Sequence, residues 1–165
     1  MEFKNLVTSF VRNWNYARKE TLELLHCLND SQLQFKPEGS DKWQPLYFQF
    51  ACIARTQAVY AKAIKEDKMD YLWFESEDLP RKNDFQTKEK LFKLLNETEK
   101  DWLTNIREKR KEEEFMIKWP GFNMNLMNHI SSLIAHERLH HGQMISYFTL
   151  AGFKLPEGFK KTWSL

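Results

Sequence analysis

Apolar residues recur at alternating spacings of four and three in the first part of the chain, and this spacing most constrains the fold. It gives one apolar face to an α-helix, which has about 3.6 residues per turn. The positions are Phe3, Val7, Phe10, Trp14, Ala17, Thr21, Leu24 and Leu28. We therefore predict a first helix that ends near Leu28.

The same spacing predicts a second helix, from a cap at Asp41 to about Lys65. Pro45 is tolerable in its first turn, because the N–H groups there have no acceptor within the helix. The inward positions are Leu46, Phe50, Ile53, Gln57, Tyr60 and Ile64.

Two more helices follow. The third is capped near Asp84 or Thr87 and ends in the charged run 107–114. Its inward positions are Leu91, Leu95, Thr98 and Trp102. After a break at 119–122, Asn123 is the predicted cap of a fourth helix that reaches about Leu150, where Gly152 is a stop signal.

These four amphipathic helices predict an all-α fold, a four-helix bundle in a single domain over residues 1–165. No segment between them has a strand period, and only five glycines and five prolines are present. The connection 67–84 is too long for a tight hairpin, so we expect a long crossover between helices two and three.

Composition excludes several classes of function. Twenty-five basic residues balance twenty-three acidic ones, for a net charge of +2, which argues against nucleic acid as a partner. There is no apolar stretch of membrane-spanning length and no secretion signal, so we expect a cytoplasmic protein without membrane partners. Two cysteines are too few for a disulfide framework, and Cys27 is predicted to be core.

Four of the five histidines lie between residues 129 and 141, on the predicted fourth helix. His136 and His140 are one turn apart and project within about 40° of each other, so both imidazoles can reach one ion. Gln143 and Tyr147 continue this polar stripe where a helix would ordinarily place leucine. A divalent metal would satisfy the stripe, and so would a network of hydrogen bonds among these side chains.

Two motif hypotheses compete for the same residues. His136-Glu137-x-x-His140 matches the H-E-x-x-H pattern of zinc proteases, in which the glutamate is the general base. The longer protease pattern fails, because Gly142 comes one place early. A di-iron site is suggested by two E-x-x-H pairs, one of them beginning at Glu23, but helix two has no carboxylate between Lys42 and Lys65 to bridge two metals.

The segment His136-Glu137-Arg138-Leu139-His140-His141-Gly142-Gln143 resembles the H-x-x-x-H-[RH]-G-Q signature of the DinB-like family, also called YfiT-like. Similar features are Trp43, the segment Gln49-Phe50-Ala51-Cys52-Ile53, Trp119-Pro120 and Pro156. The resemblance covers nearly the whole chain. It implies a four-helix bundle with one metal held by three histidines.

In that family the third ligand is a histidine on helix two, and Cys52 stands at the matching position. The resemblance therefore implies a metal site of Cys52, His136 and His140, which suits zinc or nickel. Gln143, Tyr147, His129 and Arg55 are candidates for the pocket or for contacts to the ligands. The sequence assigns no catalytic residue.

The resemblance implies a metal-dependent enzyme, either a thiol S-transferase that uses a low-molecular-weight thiol or a small-molecule hydrolase. The alternative is a non-catalytic bundle with a degenerate site that holds no metal, as in a homodimeric stress-related or binding protein. Cys52 in place of histidine is the best support for the alternative.

Overall fold

The computed structural model describes residues 3–75, 84–109, 111 and 115–165. Its elements in chain order are α1 (Phe3–His26), α2 (Asp30–Leu33), α3 (Leu46–Glu66), α4 (Lys88–Lys109), β1 (Met116–Trp119), β2 (Phe122–Asn125), α5 (Leu126–Ala151) and α6 (Glu157–Trp163). The all-α class is confirmed. The short helices α2 and α6 and the two strands were not expected.

Four long helices carry the core, with α5 packed against α1 and α3, and α3 packed against α4. One apolar cluster lies towards the α6 side and contains Leu24, Phe50, Leu95 and Phe148. The other contains Trp14 and Trp102, whose ring centroids lie 6.2 Å apart. None of the helices in the described ranges is long and apolar enough to cross a membrane.

The beginning of α3 differs from the sequence prediction. Asp41 does not cap this helix, which begins at Leu46 after an extended Pro45 that gives no side-chain cap. The backbone N–H of Leu46 is satisfied instead by the carbonyl oxygen of Phe35, at 2.9 Å. The chain therefore enters this helix without a capping side chain, and the backbone of Phe35 satisfies one of the N–H groups of its first turn.

A two-stranded antiparallel hairpin occupies the segment that we predicted to be a simple break. Trp119 pairs with Phe122 across a turn in which Gly121 has a φ of 88°. A type II turn has a positive φ at its third position, which favours glycine, and its second position favours proline. Gly121 and Pro120 occupy these positions. Since β2 contains Asn123, the prediction that Asn123 caps the last helix is wrong, and Asn125 is the cap.

The connection between α3 and α4 is described only in part, because residues 76–83 of the predicted crossover lie outside the described residues. Its first part forms a 3-10 turn over Tyr71–Phe74, capped by the Asp70 side chain. The Arg55 guanidinium of α3 holds this turn through two hydrogen bonds to the Phe74 carbonyl oxygen, at 3.2 and 2.9 Å. Part of the charged run after Lys109 also lies outside the described residues.

Candidate metal centre

Three predicted ligands come together between α3 and α5. The Cys52 Sγ and one ring nitrogen each of His136 and His140 all lie within 4.8 Å of one another. In the described part of the chain this is the only group of three or more histidine, cysteine or acidic residues that could hold a metal. One donor comes from α3 and two come from successive turns of α5, as the i, i+4 spacing of the histidines requires.

The spacing of the two histidine donors fits a tetrahedral ion. The Nε2 atoms of His136 and His140 lie 3.3 Å apart. Two imidazoles on one zinc, each bonded at about 2.0–2.1 Å, have nitrogens about 3.3 Å apart if the angle is tetrahedral. A thiolate with two imidazoles is also a donor set that zinc prefers, and it leaves a fourth position for water or substrate.

Two polar side chains of α3 contact the histidines. The Gln49 Oε1 lies 2.7 Å from His140 Nδ1, and the Thr56 Oγ1 lies 3.2 Å from His136 Nε2. Gln49, Cys52 and Thr56 are spaced by three and four residues, so they share one face of α3. Gln49 and Thr56 were not predicted as contacts of the histidines, although their spacing from Cys52 in the sequence places all three residues on one face of a helix.

A cleft of about 480 Å³ lies beside His140. Gln143 and Tyr147, both predicted as pocket residues, line it together with Gln49. The other lining residues are Ser40, Lys42, Trp43, Gln44 and Phe48. The Trp43 and Tyr147 rings meet edge to face, with centroids 5.4 Å apart, and burial raises the pKa of the Tyr147 phenol. The cleft therefore combines aromatic walls with amide, hydroxyl and ammonium groups.

The contacts described for His129 and Arg55 are with groups other than these three donors. His129 is buried against Tyr60, with ring centroids 4.5 Å apart, and its Nε2 donates to the Tyr60 carbonyl oxygen at 3.0 Å. Burial lowers the pKa of His129 to about 4. Arg55 holds the turn at Phe74, as described above. Neither residue lines the cleft beside His140.

Glu137, the general base of the protease hypothesis, faces away from the three donors. It is fully buried against α1, where its Oε1 lies 3.4 Å from Arg18 Nε and accepts a hydrogen bond of 2.5 Å from Thr21 Oγ1. A carboxylate held by a buried guanidinium cannot activate a water at the histidine pair on the other face of the helix. This geometry removes the protease hypothesis.

His141 belongs to the same buried network. Its Nε2 lies 2.7 Å from Thr21 Oγ1, and Arg138 lies beside its Nδ1 and pairs with Glu20. Burial, followed by the nearby Arg138 and Arg18 charges, lowers the pKa of His141 to about 3. The residue is therefore a neutral, structural histidine at neutral pH.

The structure does not support the two predictions about α1, a di-iron site and a buried Cys27. The di-iron hypothesis needs Glu23 and His26 near the histidines of α5, but both line a separate groove with Phe92 and Leu103 of α4. Cys27 is exposed, so the prediction that it is core is wrong.

Comparisons with known proteins identify the family and the fold. The sequence model of the DinB superfamily matches residues 13–144. The chain belongs to the DinB superfamily. The matched range runs from α1 to Met144 of α5 and so includes all three donors of this DinB protein.

A solved structure agrees at the level of the fold. The crystal structure of a DinB-like protein from Bacillus cereus ATCC 10987 matches with a TM-score of 0.68, over 89% of this chain and 93% of that chain. The two sequences are 17% identical, so the likeness extends to the fold alone. A comparison with curated proteins finds no match.

Proposed function

We propose that this DinB protein is a metal-dependent enzyme that acts on a small molecule. Cys52, His136 and His140 hold the ion, with zinc preferred over nickel, and the reaction is thiol S-transfer to an electrophile or hydrolysis. The observation that carries the proposal is the convergence of these three donors, one of which, His140, lines a cleft of about 480 Å³. A cleft of that volume suits a small-molecule substrate.

We also propose that the four long helices form a four-helix bundle of the DinB type and that the connection from α3 to α4 is its long crossover. In this arrangement α3 and α5 are neighbours, and each supplies part of the donor set. Metal sites of helical bundles are commonly built in this way, from side chains that project inward from facing helices.

A bound zinc ion would supply Lewis acidity and lower the pKa of a thiol or water that it holds. The side chains of the cleft bind and orient the substrate. Trp43 and Tyr147 offer aromatic surface to its apolar part, whereas the exposed Lys42 ammonium attracts an anionic group at the mouth. Gln143 offers an amide beside His140. In S-transfer, the thiol loses its proton, the sulfur bonds to the electrophilic carbon, and the bond from that carbon to its leaving group breaks, so that the leaving group departs with the electron pair and can take up the proton.

The test is to assay the zinc-loaded protein for both reactions, with a low-molecular-weight thiol plus a chromogenic electrophile, and with a chromogenic ester. We expect one activity that requires zinc and is lost in His136→Ala. The matched control is His26→Ala, which removes an exposed histidine of α1 and should retain the activity. A zinc-loaded protein that catalyses neither reaction would contradict the enzymatic proposal.

The second candidate is a non-catalytic, homodimeric binding or stress-related protein with a degenerate metal site. Cys52 in place of the family histidine favours it. Metal content after purification without added ions separates the two candidates. Stoichiometric zinc that is lost in His140→Ala supports the enzyme. A metal-free protein whose stability ignores added zinc supports the second candidate.

A further inference from the structure

A chain of hydrogen bonds runs from a backbone carbonyl group to His140. The Tyr147 hydroxyl donates to the Gln44 carbonyl oxygen at 2.7 Å. The Gln49 Nε2 donates to the Tyr147 oxygen at 3.3 Å, and the Gln49 Oε1 lies 2.7 Å from His140 Nδ1. We refer to Gln44, Tyr147, Gln49 and His140 as the relay. Gln49 is 8% exposed and Tyr147 is 1% exposed, so both side chains are largely withdrawn from solvent.

The direction of every bond in the relay follows from its first member. A carbonyl oxygen can only accept, so the single hydroxyl proton of Tyr147 is committed to Gln44. The Tyr147 oxygen must then accept, and the group of Gln49 that faces it must be the NH2. The other end of the Gln49 amide is its oxygen, which accepts a proton from His140 Nδ1.

We infer that Tyr147 and Gln49 are positioning residues that hold His140 in its Nδ1–H tautomer. This tautomer directs the Nε2 lone pair towards His136 Nε2, on the side of the ring where the donor group lies. If the Gln49 amide were reversed, its NH2 would face Nδ1 and place a proton on Nε2. A proton on Nε2 is incompatible with bonding to a metal through that atom. The benefit to metal binding rests on the proposed function, whereas the tautomer itself does not.

The neighbouring histidine provides an internal comparison. Thr21 donates its hydroxyl proton to the Glu137 carboxylate at 2.5 Å, so its oxygen accepts from His141 Nε2 at 2.7 Å. Arg138 Nη1, which can only donate, and Glu20 Oε2, which can only accept, lie 3.5 and 3.4 Å from His141 Nδ1, so the shorter contact with Thr21 decides the tautomer. His141 is therefore held in the Nε2–H tautomer. Two adjacent residues of α5 carry their protons on opposite ring nitrogens.

Long-range proton–nitrogen correlation spectra of the metal-free protein, with 15N-labelled histidine, test the inference directly. They are recorded at a pH high enough for both rings to be neutral. We expect a protonated Nδ1 for His140 and a protonated Nε2 for His141. A wild-type spectrum in which His140 carries its proton on Nε2 would overturn the inference.

Substitutions of Gln49 and Tyr147 test the contribution of each residue to the tautomer of His140. Gln49→Glu keeps an acceptor at Nδ1 and should keep the tautomer of His140, whereas Gln49→Leu removes the acceptor and should populate the Nε2–H form. Tyr147→Phe allows the Gln49 amide to reverse, so it should also populate that form. Tyr60→Phe is the matched control, because it removes a phenol from the other apolar cluster, beside His129. If Tyr147→Phe leaves His140 wholly in the Nδ1–H form, the tyrosine is not a positioning residue.

Zinc affinity, measured by competition with a chromophoric chelator, connects the tautomer to the site. Loss of a side chain that orients a ligand typically weakens metal binding 10- to 100-fold, and we expect a loss within about this range for Gln49→Leu. Gln49→Glu and Tyr60→Phe should bind zinc at least as tightly as the wild type. A wild type that binds no zinc would contradict the proposed function but leave the tautomer measurement intact. Zinc binding that is unaffected by Gln49→Leu would overturn the positioning role.

Discussion

Glu137 and His141 alternate along α5 with the two candidate ligands, and their side chains face α1 instead of α3. Arg18 connects this face to the rest of the core, since its Nη2 donates to the Gln57 Oε1 at 2.6 Å and its Nε pairs with Glu137. Thr98 of α4 donates to the same Gln57 oxygen at 2.9 Å. This buried network joins α5 to α1 and α3, the two helices that flank it, and it also includes α4. These contacts fix the rotation of α5 about its own axis.

Removing the guanidinium from this network should be costly. Arg18→Met leaves the fully buried Glu137 carboxylate without its cation, and breaking a buried ion pair in this way typically costs about 3–5 kcal/mol of unfolding free energy. Urea titration would measure the change. The matched control is Lys19→Met, an exposed neighbour that should change stability by less than about 0.5 kcal/mol. A cost below about 1 kcal/mol for Arg18→Met would show that the network is not structural.

The lowered pKa of His129 predicts that the folded protein loses stability in acid. Burial lowers its pKa in the folded protein to about 4, whereas the ordinary value is 6.5. Above pH 6.5 the ring is neutral in both states. Between pH 6.5 and about 4, the unfolded chain takes up a proton that the folded protein excludes, so stability falls as the pH falls, by about 3 kcal/mol for this group.

The corresponding variant is His129→Phe, which keeps a ring against Tyr60 but cannot be protonated. Urea titrations at pH 7 and pH 4 should show a smaller difference in stability for this variant than for the wild type. His26→Phe, which alters an exposed histidine, should keep the wild-type difference. If His129→Phe shows the full wild-type difference, His129 does not take part in the acid response.

The sequence predicts part of the candidate site for a clear reason. His136 and His140 follow from helical geometry alone, because the i, i+4 spacing puts both on one face. Cys52 does not, since a single cysteine on an apolar helix has no partner in sequence, and only the family resemblance indicates it. The spacing of Gln49 and Cys52 places both on one face of α3, but the contact of Gln49 with His140 and the Arg18–Glu137 pair depend on packing between helices, which no local pattern contains.

At the scale of elements, the long helices were predictable, and so was the beginning of α4 beside Thr87, whereas the beginnings of α3 and α5 were not. Periodicity over twenty or more residues identifies α1, α3, α4 and α5, whereas four-residue strands such as Met116–Trp119 are too short to show a period. The sequence contains one local indication of the hairpin, the Pro120-Gly121 pair that is typical of a tight turn. Its presence moves the cap of α5 from Asn123 to Asn125, and it sets the position from which the helix with both histidines begins.

The two asparagines give a direct test of this boundary. The Asn125 side chain accepts from the backbone N–H of Asn128 at 2.9 Å, so Asn125→Ala should cost about 1 kcal/mol of unfolding free energy. Asn123 is exposed on β2, and Asn123→Ala should cost less than about 0.5 kcal/mol. Thermal and urea unfolding of both variants would measure the two costs. The reverse order would restore the boundary predicted from the sequence.

For the molecule as a whole, the candidate ligands join two helices. Cys52 belongs to α3 and the histidines belong to α5, so an ion at this site would link them in the folded state only. A ligand that binds only the folded protein stabilises it by about 2.7 kcal/mol when its free concentration is 100 times the dissociation constant. In a chain of this size that corresponds to an increase in Tm of about 5–11 °C.

Calorimetry with and without zinc would measure this increase. We expect the wild type and His26→Ala to gain stability, and His140→Ala to gain none. An equal gain in His140→Ala would mean that zinc stabilises the protein from a different site.

X-ray absorption at the zinc edge tests the central claim most directly, because it identifies the atoms bonded to the ion. The zinc-loaded wild type should show one sulfur at about 2.3 Å together with nitrogen neighbours at about 2.0–2.1 Å, two of them with the outer-shell signature of imidazole. Cys52→Ser should lose the sulfur shell, and His140→Ala should lose one imidazole. A first shell of oxygen and nitrogen alone in the wild type, unchanged by Cys52→Ser, would contradict the Cys52–His136–His140 site.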